Sequence, residues 1–485
     1  MTAAYSVKQI REFEKSLIED ESFGINGLLE SASKAIFKVC IQRIKKNQKV
    51  LVVCGKGYNG VDAIKCGTLL KKAGYRVYYM MCYRMVDCNI EFQQAHSEAV
   101  RVGVIEEKGE DLTDYDVLID GIYGIGYREA KQDHNAVTIQ KMNRSGAKII
   151  SIDVPSGVNA DTGVAAKDAI RATTTLSLLI RKRGLYTKDA FDHVGELLFD
   201  DLGHQYQNQQ EQYEIIEIKD RRHDLIREVK NTHKYSFGRA LVIGGNYGML
   251  GASVLTAKAC AKMGCGYVMM ATRDNPALAI ENPDFVTVSI DEIDGIIQAG
   301  KVTVIIIGPG LGRDDWALAC MEKALKYKGS MVMDADALQM MVQKDLDIGQ
   351  KVVMTPHEGE AGVLLGVGSA DVRKNRFEAI DKLYQKFEAK MLLKGAGTLI
   401  KVDENVVKVI NHACPGMSVA GSGDVLAGMI GGYIAQGVDN GTALLEAALI
   451  HVEIGMYYQE INQGRGMMAS EMIEMIPMMK NKKEG

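Results

Sequence analysis

Short apolar runs recur along the first part of the chain at KVLVVC, YRVYYMMC, DVLIDG, AKIISIDVP and TTLSLLI, separated by polar or amphipathic stretches long enough for crossover helices. Alternation of this kind predicts a parallel sheet with helices on both faces. A second series starts at RALVIGG and continues through GYVMMAT, TVIIIGPG, GSMVMDADA, KVVMTP and KMLLKG, so the second part is also α/β. Between them, DDLGHQYQNQQEQYEIIEIKDRRHDLIREVKNTHKYSFG is rich in Gln and charge, and within it only EIIEI suits an edge strand. We place a domain boundary near residue 215, giving domains 1–215 and 216–485. The halves share no motif, which points to a fusion of two different domains and not to a duplication.

Composition narrows the function classes. A chain of 485 residues is longer than a single core usually grows, and 47% hydrophobic with 25% charged residues is ample for two cores. The formal net charge is 58 − 62 = −4, with no basic tract longer than the terminal NKK, so neither nucleic acid nor an anionic membrane is an expected partner. Charges interrupt MTAAYSVKQIREFEK where a signal peptide needs an apolar stretch, and no apolar run reaches ~18 residues, so a cytoplasmic protein is expected. The nine cysteines form no C-x-x-C pair and read as core thiols; the 25 methionines read as core filler.

The second half carries the stronger chemistry. In AGSGDVLAGMIGGYIAQG, Gly421, Ser422 and Gly423 precede Asp424 and an apolar helix. Such a helix start can aim N–H groups at a phosphate, with Asp424 placed to take a proton from an attacking hydroxyl, and it also fits a plain helix cap. KMLLK runs into a small-residue loop, Lys394 to Thr398; GPGLG (Gly308 to Gly312) follows VTVIII; and TPHEGE (Thr355 to Glu360) follows KVVM. Four such loops after strands describe a ligand crevice on one sheet edge. Within them His357 suits a cap or a ligand contact, and Asp334 and Asp336 in MDADAL suit a metal or, slightly better, a cap on the following helix.

In this order, HKYSFGRALVIGG, GPGLG, MDADAL, TPHEGE, KGAGT and GSGDVLAG resemble the ADP- or ATP-dependent NAD(P)H-hydrate dehydratases of the ribokinase-like fold, and GRGMMASEMIEMIP resembles that family's C-terminal helix. The resemblance implies that the 6-hydroxyl of hydrated nicotinamide is phosphorylated and that phosphate is then eliminated, a sensible route because hydroxide leaves poorly and phosphate leaves well. It implies Asp424 as the base at the hydrate hydroxyl. It also implies Gly423 with Lys394, Gly395, Ala396, Gly397 and Thr398 at the adenine nucleotide, and Ala252, Gly310 and His357 at the hydrate. Magnesium is expected with the phosphates of ADP or ATP, and ADP is the expectation for bacterial members. Cys414 stands where the family has Asn before Pro-Gly-Met, and Ser422 replaces the usual Thr.

The first half is read from CGKGYNGVDA, DGIYGIGYREA and IDVPSGVNADTG, each ending an apolar run. The glycines of the first fit a nucleotide-related site and equally a tight structural turn, since the spacing is neither G-x-G-x-x-G nor a P-loop. Asp120 and Asp153 sit near strand ends, either as loop caps or, with Ser156, as hard oxygen donors suited to a monovalent ion.

These segments resemble the NAD(P)H-hydrate epimerase domain of Rossmann-like three-layer fold, which is fused to the dehydratase in many bacteria. The resemblance implies potassium held by Asn59, Asp120 and Ser156. It implies hydrate held by Tyr58, Asn59, Gly60, Val61, Asp62, by Gly124, Ile125, Gly126, Tyr127, Arg128, Glu129 and Ala130, and by Asp153. Asp153 is the candidate for proton transfer at C6. Tyr58, Val61 and Ile125 depart from the family's Asn, Gly and Thr, so the first domain either works in a reshaped pocket or binds hydrate without turning it over. The expected partners are NAD(P)H hydrate and ADP or ATP, in a homo-oligomer. A ribokinase-like kinase of a vitamin-precursor alcohol is the alternative for the second domain.

Overall fold

The computed structural model describes residues 2–20, 23–108, 111–128, 134–206, 212–223, 225–226, 230–273, 282–348 and 351–482. The chain forms two compact units, Thr2–Tyr213 and Glu214–Gly485. Both are α/β.

In the first unit seven strands pair in parallel in the order Ile105–Glu106, Arg76–Met81, Lys49–Cys54, Val117–Gly121, Lys148–Ile152, Thr174–Leu178 and Glu196–Asp200. The central strand Lys49–Cys54 shows why its run is unbroken. Val50, Val52 and Cys54 pack into one core with Ile36, Ile64 and Phe92, whereas Leu51 and Val53 pack into another with Ile139 and Met142. A strand covered on both faces has no polar side to alternate with. The strand order reverses between Lys49–Cys54 and Val117–Gly121, and ligand crevices in open parallel sheets open outside the carboxyl ends at such a reversal.

In the second unit the order runs Val406–Ile410, Leu399–Lys401, Lys390–Leu393, Val352–Met354, Ser330–Met333, Val304–Ile307, Arg239–Ile243, Tyr267–Ala271 and Val286–Val288. From Lys390–Leu393 onward every pair is parallel, and the two pairs before it are antiparallel. Of EIIEI, Glu214, Ile215 and Ile216 lie in the strand Gln212–Ile216, next to Val406–Ile410, and Glu217 and Ile218 follow it. Here too the order reverses, between Arg239–Ile243 and Val304–Ile307. The helix Ser422–Ala435 is buried nearly throughout and crosses the helix Leu250–Lys262 at close range. A Cβ at Gly428 would stand 2.2 Å from the Thr256 carbonyl oxygen, and one at Gly432 would stand 2.6 Å from the Met263 Cβ. All nine cysteines are free thiols, and among the described residues no helix is long and apolar enough to cross a membrane.

Candidate functional site

Because the strands of the second unit from Lys390–Leu393 to Val286–Val288 run parallel, their carboxyl ends share one edge. Gly308, Asp334, Thr355 and Lys394 each follow a strand there directly. The Lys394 ammonium lies 2.7 Å from Asp334 Oδ1 and 3.7 Å from Glu360 Oε2. Burial opposes its charge, but Asp334 and Glu360 outweigh that and raise its pKa. Asp424 stands in the first turn of Ser422–Ala435. Burial, then Asp334, Glu360 and Asp336, push the Asp424 carboxyl up to about 7, with Lys394 pulling the other way. A carboxyl titrating near neutrality beside a helix N-terminus is matched to accepting a proton at working pH.

Around this cluster the backbone is tight. A Cβ on Gly423 would be 3.3 Å from Lys394 Nζ and 3.5 Å from Asp334 Oδ2, so the helix start forms the floor of the charged cluster. Ser422 Oγ lies 3.3 Å from His451 Nε2, and burial depresses that imidazole to about 4, leaving it neutral. Gly308 has φ 122, and a Cβ there would sit 1.8 Å from the Asp334 carbonyl oxygen. Gly308→Ala is therefore expected to destabilise the second unit by at least ~2 kcal/mol, read as a lower urea midpoint.

The sequence expectations for MDADAL need correcting. Neither aspartate caps the following helix Asp336–Gln343, whose N-cap is Ala335 at φ 50 with no side-chain bond. Asp334 is instead committed to Lys394. Asp336 accepts from the Gly312 N–H (3.0 Å) and from Arg313 Nε (3.1 Å), pinning the end of GPGLG. His357 is a cap: its Nδ1 accepts from the Gly359 and Glu360 N–H groups at 2.9 and 3.2 Å, and more than half of its side chain remains exposed. Ala252 and Gly310 are brought together, a Cβ on Gly310 falling 3.2 Å from that of Ala252. Cys414 donates to Gln459 Oε1 at 3.0 Å, so a polar contact persists at the departing position.

Sequence reasoning missed Arg376. Fully buried at the start of the helix Arg376–Phe387, it donates through one terminal nitrogen to the carbonyls of Ala396 (2.6 Å) and Gly397 (3.1 Å). Through the other it donates to those of Leu393 (3.1 Å) and Lys394 (3.2 Å), and its Nε lies 3.5 Å from Glu358 Oε1. Burial lowers its pKa to about 10, opposed by Glu358. This one guanidinium fixes the curvature of the Lys394–Thr398 loop. Its only sequence signal is a cation in a first helical turn, where the helix dipole disfavours it.

In the first unit the strand reversal carries a cavity of about 590 Å³. Tyr58, Asn59 and Asp62 line it from the helix Tyr58–Lys72, Tyr123, Gly124, Ile125, Gly126 and Tyr127 from the next strand's loop, and Asp153 from a third. CGKGYNGVDA thus becomes helical at Tyr58. Gly55 and Gly60 serve a close approach, since a Cβ on Gly60 would meet the Gly55 carbonyl oxygen at 2.0 Å. Gly60 and Val61 do not line the cavity; Val61 is helical and buried in the core. Arg128 lies beside Lys8, Arg11 and Lys15 in a shallower basic recess, and Glu129 and Ala130 lie outside the described residues.

Asp120 is fully buried and accepts from Ser151 Oγ (2.8 Å), Ser156 N (2.9 Å), Ser156 Oγ (2.5 Å) and Ile122 N (3.3 Å). Burial raises its pKa and those bonds lower it, and no Lys, Arg or His pairs with it among the described residues. Asn59 Nδ2 donates to the carbonyls of Tyr123 (2.7 Å) and Ile152 (3.2 Å), and Ser156 Oγ accepts from Tyr123 N (2.9 Å). The result is an oxygen-rich nest around an uncompensated carboxylate, a donor set that fits a monovalent cation. Among the described residues no group of three or more His, Cys, Asp or Glu is arranged for a metal. Asp153 has φ 66; its Oδ1 takes the buried Lys182 ammonium and the Leu178 N–H (3.1 Å).

A family profile described as NAD(P)H-hydrate dehydratase matches residues 240–478, and one described as YjeF-related protein N-terminus matches residues 26–184. The bifunctional NAD(P)H-hydrate repair enzyme Nnr of Coxiella burnetii is 34% identical over 487 residues, covering 97% of this chain and 98% of its own length. The Escherichia coli enzyme of the same name is 29% identical, over 96% of this chain and 91% of its own. Among solved structures, the ADP/ATP-dependent NAD(P)H-hydrate dehydratase from Bacillus subtilis is 22% identical, covers 54% of this chain and 94% of its own, and superposes with a TM-score of 0.48.

Proposed function

The chain belongs to the family of bifunctional NAD(P)H-hydrate repair enzymes, and from that premise we propose that its second unit dehydrates the S form of NAD(P)H hydrate at the expense of ADP while its first unit interconverts the R and S forms. The observation that carries the reading is the Asp424 carboxyl, poised near pH 7 at a helix start and facing the Lys394, Asp334 and Glu360 cluster.

In the second unit Asp424 takes the proton of the 6-hydroxyl as that oxygen attacks the terminal phosphoryl of ADP, forming the C6–O–P linkage and releasing AMP. The C6–O bond then breaks, a C5 proton is lost and inorganic phosphate departs, which restores the dihydropyridine. Lys394 and the N–H groups around Gly423 stabilise the charge on the transferring phosphoryl, and Arg376 holds the Lys394–Thr398 loop at the nucleotide. Ala252, Gly310 and His357 contact the hydrate. The carboxylates around Lys394 outnumber it, an oxygen-rich excess of negative charge that suits magnesium; bound with the nucleotide, magnesium would neutralise the phosphates.

In the first unit Tyr58, Asn59, Asp62, the loop from Gly124 to Tyr127 and Asp153 hold the hydrate. Asn59, Asp120 and Ser156 would hold potassium, which offsets the Asp120 charge. A cytoplasmic location and a homo-oligomeric state complete the reading.

Pure S hydrate and ADP supply the test. Inorganic phosphate and regained reduced-nicotinamide absorbance are expected to appear one for one. Accumulation of a stable phosphorylated alcohol without absorbance would instead establish a small-molecule kinase.

A further inference from the structure

The cavity of the first unit contains an acidic side chain that no motif marks. Glu14, on the helix Val7–Ile18, lines the cavity together with Asp62 and Asp153, and no hydrogen bond to its carboxyl is seen among the described residues. Asp153 is held by Lys182. Asp62 is almost fully buried, and its Oδ1 has no hydrogen-bond partner. An unpartnered buried oxygen beside two further carboxyls is costly unless a ligand with a hydroxyl or amide completes it.

We propose that Glu14 is the acid that protonates the C6 hydroxyl of the bound hydrate and so begins its epimerisation, with Asp153 facing it as the proton acceptor. This rests on the epimerase reading above. Glu14 gives its proton to the hydroxyl; the C6–O bond breaks and water leaves as the N1 lone pair forms an N1=C6 iminium. Water then adds at the opposite face of C6, the iminium pair returns to N1, and Asp153 takes the added water's proton; Asp153 then releases that proton to solvent and the ionised Glu14 takes one up from solvent, which regenerates the acid. No redox partner is required, and atoms and charge balance over the cycle. A pair of carboxyls in unlike surroundings, one clamped by an ammonium and one without a partner in a largely apolar wall, is a recurring way to obtain an acid and a base in one pocket.

The charge environment agrees. Burial, then Asp153, push the Glu14 carboxyl up to about 7, with Lys182 and Arg11 opposing. Asp62 is raised by burial and by both Asp153 and Glu14, with Lys65 opposing. The other ionisable side chains on the cavity wall are Lys56 and the phenols of Tyr58, Tyr83, Tyr123 and Tyr127. An acid must be protonated, so epimerisation is expected to fall as pH rises through about 7.

The test uses the full-length chain with ADP and pure R hydrate, following absorbance after subtraction of uncatalysed epimerisation, with S hydrate as the control for the second unit. Glu14→Gln should lower kcat from R hydrate on the order of 10²-fold, leave KM within about threefold, abolish the high-pH fall and leave S turnover unchanged. Glu14→Asp should restore part of the rate together with a displaced pH limb. A Gln variant within about threefold of wild type, a change in KM alone, or a persisting limb overturns the assignment; if the Gln protein does not fold, an undisplaced limb in the Asp variant does so. A wild-type chain that never converts R hydrate fails the epimerase reading itself, and this assignment falls with it.

Discussion

Asp424→Asn is expected to lower the dehydration rate from S hydrate by at least ~10³-fold, while the protein stays folded with a melting point no lower than wild type and the conversion of R to S in the first unit stays as in wild type. The asparagine keeps the size of a half-buried side chain at the helix start and removes its charge and its capacity to take a proton, an effect in the range of a lost general base. The sign of the pH dependence follows from the raised carboxyl. Below about 7 Asp424 is protonated and cannot accept the hydroxyl proton, so kcat/KM should climb about tenfold per pH unit up to that point and level above it. In the Asn variant the climb should vanish. Neutral Asp424 is also the less repulsive form beside Asp334 and Glu360, so its contribution to stability is present at low pH and is lost as pH rises through about 7. Activity and stability therefore pull in opposite directions across the same interval.

Arg376→Ala is the second large effect. It removes the donor to the Leu393 carbonyl at the strand end and to three loop carbonyls, as well as the cation beside Glu358, and a buried ion pair broken on one side costs about 3–5 kcal/mol. A drop in the urea midpoint should therefore accompany a marked rise in the ADP concentration needed for turnover, since the Lys394–Thr398 loop loses its anchor. Arg376→Lys should fall between, keeping the charge but lacking the planar fork that reaches two pairs of carbonyls. A stability within about 1 kcal/mol of wild type for the alanine variant would remove Arg376 from this role.

The two sheets were legible because strands buried on both faces have to be written as continuous Val, Ile, Leu and Met runs, and Val50 through Cys54 and Val304 through Ile307 are written so. The glycine loops were legible as strand ends for the same reason. What they do was less so. The turn CGKGYNGVDA looks like a flexible cradle, yet Tyr58 already begins a helix, and two of its glycines exist so that backbone can touch backbone. Asp334 and Asp336 look alike in MDADAL but face different partners, a difference that depends on Lys394 and Arg313 arriving from distant sequence.

Glu14 and Lys182 were not legible at all, and Arg376 showed only as a cation in a first helical turn. Each lies in a stretch where charge normally marks a solvated face, and only tertiary packing turns that face inward. Val61, which in sequence suggested a damaged loop, points into the core and leaves the cavity wall to Tyr58, Asn59 and Asp62. The departure from Gly at that position therefore gives no structural reason for a silent first unit.

The most direct measurement supplies the purified chain with an equilibrium mixture of R and S hydrate and excess ADP, and follows reduced-nicotinamide absorbance to completion against the uncatalysed epimerisation rate. Two linked activities predict full recovery from both forms, faster than that background. A halt once the S form is consumed, with the remainder appearing only at the uncatalysed rate, would contradict the account.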